Sequence, residues 1–484
     1  PNIKLLLDTS LYRVEKQGDR IQSVWARCDK SEHLYHVSSK QYVDATGDSR
    51  LGFEAGAEFR MGRESSKEFG ESLADYDPAG TTQGSSILFT AKPHDRHMVY
   101  VAPSWARKLT SEDLKHRSVD EHDWHYGYWW IELGGVYDTI RDNERLRFEL
   151  LAIVLGVWDH IKNSGLYPES ANWALETVGM IPGKRESRRL MGDTVLTQHD
   201  IEGKWKRFPD GVAFGGWSMD DHPALGFDAP KRAPFTPTSY AEPYNIPFGS
   251  LYSKDVNNLL MAGRNVSATH VAFTSLRVMI TCAVMGQAAG TAAHQCSAEG
   301  ITPRELRASS KSMRALQQQL LRDGALILNQ KNRDKADLAR RARVNASNST
   351  EETSPRNVLT GQAYDKPGEF KHRWIAPLGE GAVWIQLDWD EPVTIGEIQI
   401  THDTGLHRDL TMTLLKWLQQ EMVSGPQPES LRDYRVIGVL EDGSEKRLAD
   451  IFHNYQRLRR HSFDSVKVRS IRIQVEQGNG NSNV

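Results

Sequence analysis

Residues 258–293, NLLMAGRNVSATHVAFTSLRVMITCAVMGQAAGTAA, decide the fold of the first part of this chain. An apolar run of strand length, Leu259–Met261, stops at Ala262 and Gly263, whose small side chains allow a ligand to approach the backbone closely. Polar residues follow, and from about Thr274 apolar positions return at helical spacing. The stretch therefore predicts a buried strand, a tight turn and a long helix, which is typical of an α/β fold.

The predicted start of this helix, at Ser275, Leu276 and Arg277, would direct unpaired N–H groups back at the turn. Those donors and the helix dipole favour an electron-rich or anionic ligand. The same pattern also fits a strand and a helix that only pack in an α/β core. The pattern alone leaves both interpretations open.

Length and composition limit the class of protein. The chain has 484 residues, of which 39% are hydrophobic and 25% charged, and this is too long for one ordinary domain. No apolar run approaches the roughly 18 residues of a membrane span. The net charge of −3 favours neither a nucleic-acid partner nor a membrane-surface partner, and three cysteines make no disulfide framework.

The beginning of the chain predicts β-structure. Residues 1–28 indicate two strands around a turn at Gly18 and Asp19. Residues 34–43 indicate a further strand, which ends in the sequence DATGD at residues 44–48. Residues 141–162 then predict an amphipathic helix, since their apolar side chains recur on one side.

Two polar or aromatic groups in this region allow more than one interpretation. A dense aromatic cluster suits either stacking on a flat substrate or an ordinary core: Trp124, His125, Tyr126, Tyr128, Trp129 and Trp130. A charged group follows a glycine- and proline-containing turn, and an acidic loop lies further on: Lys184, Arg185, Arg188 and Arg189, then Asp220, Asp221 and His222. Composition alone is compatible with a solvated face for these charges.

Five blocks in order resemble one known family. They are residues 258–293 together with YVDATGDSRLGFEAGAEFRMG at 42–62, HYGYWWIELGG at 125–135, GMIPGKRESRRLMGDTVLTQHDI at 179–201 and GVAFGGWSMDDHP at 211–223. They resemble the FAD-dependent oxidoreductases associated with polysaccharide degradation, which are two-dinucleotide-type flavoproteins. The resemblance implies an α/β FAD-binding domain at residues 1–328, with an inserted, mainly β substrate domain at about 60–240. The G-x-G-x-x-G unit that this family carries is absent from the sequence, so the FAD-binding domain is expected to be incomplete.

The resemblance also implies site residues. The positions that match the family's cofactor segments are Leu11, Ala45, Thr46, Gly47, Asp48, Ala262, Gly263, Arg264, Asn265, Ser275, Leu276 and Arg277. Alcohol oxidation needs a base for the hydroxyl proton, and imidazole is well matched to neutral pH. We therefore expect His222 to be the base, with His270 as the competitor. Arg188 would hold an acidic group or stabilise a developing oxyanion.

The last part of the chain has a different pattern. Residues 329–356 are polar and charged and predict a linker, whereas residues 357–484 alternate apolar and polar positions with a period of two. The pattern NVLTG, then Trp374, then VWIQLDWDEPVTIGEIQIT resembles the discoidin-like (coagulation factor 5/8 type C) modules. The resemblance implies an all-β jelly-roll sandwich of a type that often binds carbohydrate, or that has a structural role only.

These features together predict an FAD-dependent oxidoreductase. It is expected to oxidise a hydroxyl-bearing, carbohydrate-derived substrate by hydride transfer to flavin N5. The competing hypothesis is an inactive flavoprotein remnant that serves as a carbohydrate-binding or structural module. The expected partners are a small-molecule or glycan substrate, with no metal; the oligomeric state and the compartment stay open, and a discoidin-like domain suits an extracytoplasmic location.

Overall fold

The computed structural model describes residues 2–76, 79–203, 208–236, 238, 242–366, 368–379, 381–408, 410, 413, 416–480 and 483. It divides the chain into two compact units, the first formed by Pro1–Leu320 with Ile327–Asn329 and the second by Leu321–Leu326 with Gln330–Val484.

The first unit contains fourteen described strands and eight described α-helices. The strands are β1 (Thr9–Gln17), β2 (Arg20–Cys28), β3 (Leu34–Ser38), β4 (Tyr42–Asp44), β5 (Phe59–Arg60), β6 (Ser85–Ser86), β7 (Phe89–Pro93), β8 (Glu132–Leu133), β9 (Trp173–Val178), β10 (Gly183–Lys184), β11 (Arg189–Leu190), β12 (Gly211–Gly215), β13 (Tyr244–Pro247) and β14 (Leu259–Met261). The helices are α1 (Arg50–Glu54), α2 (Ser66–Phe69), α3 (Asn143–Asn163), α4 (Gln198–Ile201), α5 (His270–Leu276), α6 (Met279–Glu299), α7 (Pro303–Ala308) and α8 (Ser310–Arg322).

The hairpin predicted at the beginning of the chain is confirmed. Strands β1 and β2 pair antiparallel, and β3 joins them as the third strand of the same sheet. The turn between β1 and β2 contains Gly18 at a φ of +60°, a conformation that glycine adopts without steric cost. The predicted turn therefore has a physical cause in this one residue.

The short strands β4 and β14 pair in parallel, although they are far apart in sequence. Leu259, Leu260 and Met261 lie opposite Tyr42, Val43 and Asp44. The fully buried side chain of Asn258 helps to fix this pairing, since its Oδ1 accepts from the N–H of Ile21 at 2.9 Å and its Nδ2 donates to the carbonyl of Ile21 at 2.8 Å. A small apolar core that includes Ile21, Leu51 and Leu190 packs around the pair.

A second core surrounds helix α3. Leu146, Leu150, Val154, Val157 and Ile161 of this helix are buried, as their spacing predicts. The aromatic cluster from residue 124 belongs largely to the same core: Trp124 meets Trp158 and Trp173 edge to face, and Tyr128 and Trp130 are also buried. The core interpretation of that cluster is thus correct for most of its members.

The region from about residue 60 to 240 contains both helices and strands and is not mainly β. Its described strands have two to six residues, whereas α3 has 21. The reason is that the apolar positions of residues 146–161 recur at helical spacing, so this stretch forms the longest regular element of the region.

The long helix predicted from Ser275 begins later than expected. Residues His270–Leu276 form the separate helix α5, and α6 begins only at Met279, after a bend of 92°. Val278 adopts an extended conformation at the break, and the sulfhydryl of Cys282 lies 3.6 Å from the carbonyl oxygen of Leu276. Ser275, Leu276 and Arg277 therefore close a short helix and do not open the long one, which corrects the sequence-based expectation.

No single helix among the described residues is both long and apolar enough to cross a membrane. The bent pair formed by α5 and α6 meets that criterion of length and composition only when its two parts are taken together, and α5 is buried throughout.

The second unit is mainly β, as predicted, with one short α-helix and two 3₁₀ turns, Leu338–Arg341 and Pro355–Leu359, among its described residues. Its elements are β15 (Arg343–Ala346), β16 (Val383–Thr401), α9 (Lys416–Glu421), β17 (Leu431–Val439), β18 (Glu445–Ile451) and β19 (Leu458–Gly478). The strands form one antiparallel sheet in the order β15-β16-β19-β17-β18, over a core that includes Trp389, Tyr434 and Val468. The predicted linker, residues 329–356, is corrected at β15: Val344 lies opposite Leu387, and its partly buried side chain gives this segment an apolar contact within the sheet.

The tight packing of α3 gives a first prediction. A Cβ atom on Gly156 would lie 2.1 Å from the carbonyl oxygen of Arg107, so Gly156→Ala should force the backbone apart and lower the free energy of unfolding by about 1–3 kcal/mol. The matched control is Gly290→Ala in α6, where a Cβ atom meets nothing within 4 Å. This control should gain up to about 1 kcal/mol from helix propensity, and chemical denaturation of both variants measures the contrast. Equal stability of the two variants would contradict the packing of α3 described here.

Candidate functional site

The turns that follow β4 and β14 meet at one edge of the first unit. Because the two strands are parallel, their carboxyl ends lie side by side, with Met261 opposite Asp44. The backbone carbonyl of Asp44 accepts from the N–H of Ala262 and from the Nδ2 of Asn265, both at 3.0 Å. Its buried carboxylate accepts from the N–H of Thr46 at 3.0 Å and of Gly52 at 2.8 Å. The side chain of Asp44 therefore shapes the first turn, and its backbone carbonyl holds the second.

The two turns also share an ionic cluster around Asp48. Its carboxylate accepts hydrogen bonds from Lys184 at 2.7 Å, from the hydroxyl of Ser187 at 2.7 Å and from the guanidinium of Arg264. Burial by itself would raise the pKa of Asp48, but the charge of Arg264 and the hydrogen bond from Lys184 bring that pKa below its ordinary value. Gly47 has a φ of +76°, and a Cβ atom there would lie 3.1 Å from the Arg264 guanidinium. The close approach of this arginine therefore favours glycine at position 47.

The predicted residues of these turns are thus brought together, and the space beside them suits a bound cofactor. Gly263 has a φ of +117°, and among the described residues a Cβ atom there would meet only the Oδ1 of Asn265, at 3.9 Å. That Oδ1 is buried and has no hydrogen-bond partner in the part of the chain that the structure describes. Helix α6 begins with Val278 as its N-cap, which offers no side-chain hydrogen bond, so its first N–H groups are open to an outside acceptor. Met279 and Ile280 are exposed, which leaves an apolar surface at this helix start.

Three of the predicted cofactor positions have structural partners elsewhere. The hydroxyl of Ser275 is 2.6 Å from that of Tyr244, and it donates to the carbonyl of Trp217 at 2.5 Å. Leu276 is fully buried, and Leu11 packs in β1 against the core around Ile21. Ser275 and Leu276 therefore stabilise α5. The unpaired N–H groups that we expected at these residues belong instead to the start of α6, at Met279.

A chain of alternating charges lies next to this edge and contains His222. The Nδ1 of its buried ring is 2.5 Å from the carboxylate of Glu132, and its Nε2 is 3.3 Å from that of Asp220. Glu132 also contacts Arg185 at 3.3 Å, and Asp220 accepts from Arg277 at 2.9 Å. Both ring nitrogens of His222 thus face a carboxylate, and each carboxylate also contacts an arginine.

His270 has a similar environment, because it contacts the next residue of the acidic loop, Asp221. Its Nδ1 is 2.8 Å from the carboxylate of Glu186, and its Nε2 is 3.1 Å from that of Asp221. Arg63 binds Asp221 through two hydrogen bonds of 2.6 and 2.9 Å, and the fully buried Arg189 pairs with Glu186. The consecutive residues Asp220 and Asp221 therefore bring the two predicted histidines to one site.

The charges of this site reinforce one another. Burial alone would lower the pKa of His222, but hydrogen bonds to Asp220 and Glu132 raise it above its ordinary value. Burial likewise opposes the charge of His270, whereas the negative charge of Glu186 and the hydrogen bond to Asp221 raise its pKa. Burial would raise the pKa of Glu186, but His270 and Arg189 lower it to about 2. Both imidazoles are thus stabilised in the charged form.

Arg188 does not belong to this charge cluster. Its guanidinium lies 3.8 Å from the centre of the Phe53 ring and also covers Phe59, with one hydrogen bond of 3.3 Å to the carbonyl of Asp48. The neighbouring Arg185 contacts Glu132 instead. The arginine next to His222 is therefore Arg185, three positions earlier than expected.

Several functional candidates were missed at the sequence level. Glu132 is nearly fully buried and contacts His222, and Glu186 is fully buried and contacts His270. Each glutamate nevertheless looks like an ordinary surface residue in its sequence context. The available signal was their position inside two of the resembling blocks, where Glu132 stands in the apolar run WWIEL. Among the described residues, no group of three or more histidine, cysteine, aspartate or glutamate side chains is arranged to hold a metal ion.

In α/β units, nucleotide cofactors bind outside the carboxyl ends of parallel strands, which is where the two turns of this site lie. The chain belongs to the family of FAD-dependent oxidoreductases, whose family model matches residues 1–320. This match confirms the family and implies FAD as the cofactor. A comparison with curated proteins gave no match.

Three solved structures to which this chain is similar are carbohydrate-binding or lectin domains. The lectin domain of lectinolysin in complex with Lewis B antigen is 13% identical and has a TM-score of 0.23, covering 31% of this chain and 92% of that chain. The family 32 module from C. perfringens NanJ in complex with galactose is 14% identical, with a TM-score of 0.22 and coverage of 30% and 90%. A chitosan-binding module from a Paenibacillus sp. IK-5 chitosanase/glucanase is 10% identical, with a TM-score of 0.21 and coverage of 29% and 87%. Likeness at this level does not indicate a ligand for this chain.

The raised pKa of His270 gives a second prediction. A histidine whose pKa is higher in the folded state contributes stability that is fully present below its unfolded pKa, about 6.5, and is lost as pH rises through the folded pKa. His270→Gln should therefore be most destabilising, relative to the parent, below about pH 6.5. The difference should shrink as pH rises through the raised folded-state pKa of His270, and urea unfolding of both proteins from acidic to alkaline pH measures it. A difference that stays constant with pH would contradict the charged state of His270.

Proposed function

We propose that this member of the family oxidises an alcohol group of its substrate to a carbonyl at the site between the strand-end turns and the His222 charge chain. One observation carries the proposal: the segment 184–187 contacts both places. Lys184 and Ser187 bind Asp48 of the first turn, whereas Arg185 contacts Glu132 and Glu186 contacts His270. A cofactor against the turns would therefore lie beside the two histidines.

The residues that would hold FAD are those that border the open space at the strand ends. They are the turn residues Ala45, Thr46, Gly47 and Asp48, the second turn Ala262, Gly263, Arg264 and Asn265, and the start of α6 at Met279. When bound there, FAD supplies the acceptor for the hydride that leaves the substrate carbon, at flavin N5. The N–H groups at the start of α6 offer partial positive charge to an electron-rich group.

The hydroxyl proton of the substrate needs an acceptor, and His222 suits this role better than His270. The Nδ1 of His222 is held tightly by Glu132 at 2.5 Å, whereas its Nε2 has a longer contact of 3.3 Å with the partly exposed Asp220. A substrate hydroxyl that replaces Asp220 at Nε2 meets an imidazole oriented by Glu132. Loss of the Asp220 contact also lowers the pKa of the ring, and this favours the neutral imidazole that accepts a proton. Glu132 then stabilises the imidazolium that forms.

His270 is less suited because both of its contacts are fixed. Asp221 is held by two hydrogen bonds from Arg63, and Glu186 pairs with the buried Arg189. The His270 ring therefore has no partner that a substrate can readily replace. We assign it a positioning role, in which it anchors the loop that carries Asp220 and His222.

Gln83 completes the polar surroundings of Asp220. Its Nε2 donates to the backbone carbonyl of Asp220 at 2.8 Å, and its N–H donates to Glu186 at 2.8 Å. The Oε1 of Gln83 is buried and has no partner within the described ranges of the chain. An acceptor of this kind fits a hydroxyl group of the substrate.

The location of the cofactor is tested by Gly263→Val in the full-length protein. A side chain at this position would occupy the open space at the turn, so purified protein should lose its flavin. The matched control is Gly18→Val, which also has a positive φ and open space but lies in the hairpin between β1 and β2. Flavin absorbance per folded protein is the measurement. Full FAD occupancy in Gly263→Val would mean that the cofactor lies elsewhere, and a parent protein without flavin would favour the inactive-remnant hypothesis.

The role of His222 is tested by the rate and pH dependence of flavin reduction, with sugars and sugar acids as the first substrates. His222→Gln should keep its flavin and slow reduction by about 10²–10⁴-fold, while His199→Gln, at an exposed position of helix α4, should not change the rate. In the parent, the rate should rise with pH through the raised pKa of His222, above 6.5. Asp220→Asn removes the negative charge next to the His222 ring, so it should lower the pKa of His222 and move this inflection to lower pH. An unchanged rate in His222→Gln, measured by stopped-flow absorbance, would remove His222 from the reaction.

A further inference from the structure

The charge chain around His222 has two ends, and both are arginines. In order, Arg185 contacts Glu132 at 3.3 Å, Glu132 contacts His222 at 2.5 Å, His222 contacts Asp220 at 3.3 Å, and Asp220 accepts from Arg277 at 2.9 Å. With the imidazole protonated, three positive groups alternate with two negative ones. In that form the chain carries one positive charge that its own members do not balance, whereas with the neutral imidazole that accepts a proton the two arginines balance the two carboxylates.

The remaining hydrogen bonds of these two arginines are to neutral atoms. Arg185 donates to the hydroxyl of Ser86 at 2.7 Å and to the carbonyl of Trp129 at 3.1 Å. Arg277 donates a second bond to the carbonyl of Asp220 at 3.2 Å. The Nε of Arg277 is buried without an acceptor in the described part of the chain. This is an N–H donor that forms one prong of a guanidinium fork.

The two arginines also act on each other. Burial, and after it the positive charge of Arg185, lower the pKa of Arg277. Asp220, Glu132 and Glu186 oppose this effect, and a further anion beside both arginines would reduce their mutual repulsion. The side chains remain reachable, because Arg185 and Arg277 are 12% and 13% exposed and Asp220 is 26% exposed.

We infer that the substrate carries a carboxylate, and that this group binds at Arg185 and Arg277 beside His222. The inference rests on the proposed function, since it gives the substrate class of the same site. A carboxylate there pairs with the arginines at both ends of the chain, so that the chain closes through the substrate. It also accepts from the unpaired Nε of Arg277 in the fork geometry that guanidinium groups offer to carboxylates. A hydroxyl next to this carboxylate then lies near the imidazole of His222, which makes the substrate a hydroxy acid.

The test uses glycolate and glycolamide with the full-length protein. Glycolate is a hydroxycarboxylate small enough to enter without the rest of the substrate, and glycolamide has the same shape without the charge. Isothermal titration calorimetry should show one glycolate site, with glycolamide binding at least about tenfold more weakly. Arg277→Gln should weaken glycolate binding by about 10-fold to 100-fold. Arg277→Lys should restore part of that loss, because it keeps the charge but not the fork.

The matched control is Arg304→Gln, which removes another arginine that pairs with an aspartate, Asp193, and leaves the site intact. It should bind glycolate as the parent does. Circular dichroism and the partial rescue by Arg277→Lys distinguish loss of the site from loss of the fold. If Arg277→Gln is unfolded, Arg185→Lys takes its place and should lower glycolate affinity alone.

Three results would overturn the inference: no glycolate binding by the parent, equal affinity for glycolamide, or unchanged affinity in Arg277→Gln. Its failure is distinguishable from failure of the proposed function. Reduction of the flavin by neutral alcohols but not by hydroxy acids would overturn the carboxylate and leave the oxidoreductase function standing. Arg277-dependent glycolate binding without flavin reduction by any hydroxy compound would support the anion site and contradict the proposed oxidation.

Discussion

The parallel pairing of β4 with β14 is the contact on which the candidate site depends. It involves only three residues from each strand, yet it places the ends of two distant chain segments side by side. Buried polar groups determine its position: Asn258 connects it to β2, and Asp44 holds both turns. Because unpaired buried polar groups are unfavourable, these bonds select one register for the pair. Without this register, Asp48 and Arg264 would not meet.

The site adds many buried charges to this scaffold. Removing charges from water is unfavourable, and the attraction between partners offsets this only when the geometry is good and the hydrogen bonds are complete. Here each carboxylate has at least two donors, as Glu186 shows with Arg189, His270 and the N–H of Gln83. Such an arrangement contributes little net stability in comparison with an apolar core. Its value lies in the fixed orientation and charge of the imidazoles.

The sequence predicted local elements better than their connections. The strand at Leu259–Met261 and the hairpin at Gly18 follow from apolar runs and turn residues, and the structure confirms them. The 92° break before Met279 was not foreseen, because the apolar pattern continues across it without a proline or glycine. A contact from outside the helix, between Arg277 and Asp220, has no local signature. Helix limits that depend on tertiary contacts are invisible to periodicity.

The same reasoning explains which site residues were found. Resemblance indicated the residues of both turns, and it left His222 and His270 as alternative bases, whose chemical roles stay predictions. Arg188 was chosen over Arg185 because adjacent arginines in one run are equivalent in sequence, and only the packing on Phe53 separates them. Buried Glu132 and Glu186 were missed because a carboxylate reveals its burial only through its partners.

The linked charges around His222 have a consequence for how this protein can diverge or be redesigned. Each member of the chain from Arg185 to Arg277 touches the next, so replacing one leaves its neighbour buried without a counter-charge. The effects of substitutions at these positions will therefore not add, and a second change can restore what the first removed. New specificities are accordingly more accessible through libraries that vary positions 132, 220 and 277 together than through single substitutions. The site will tend to change as a set, by coordinated replacement of opposite charges.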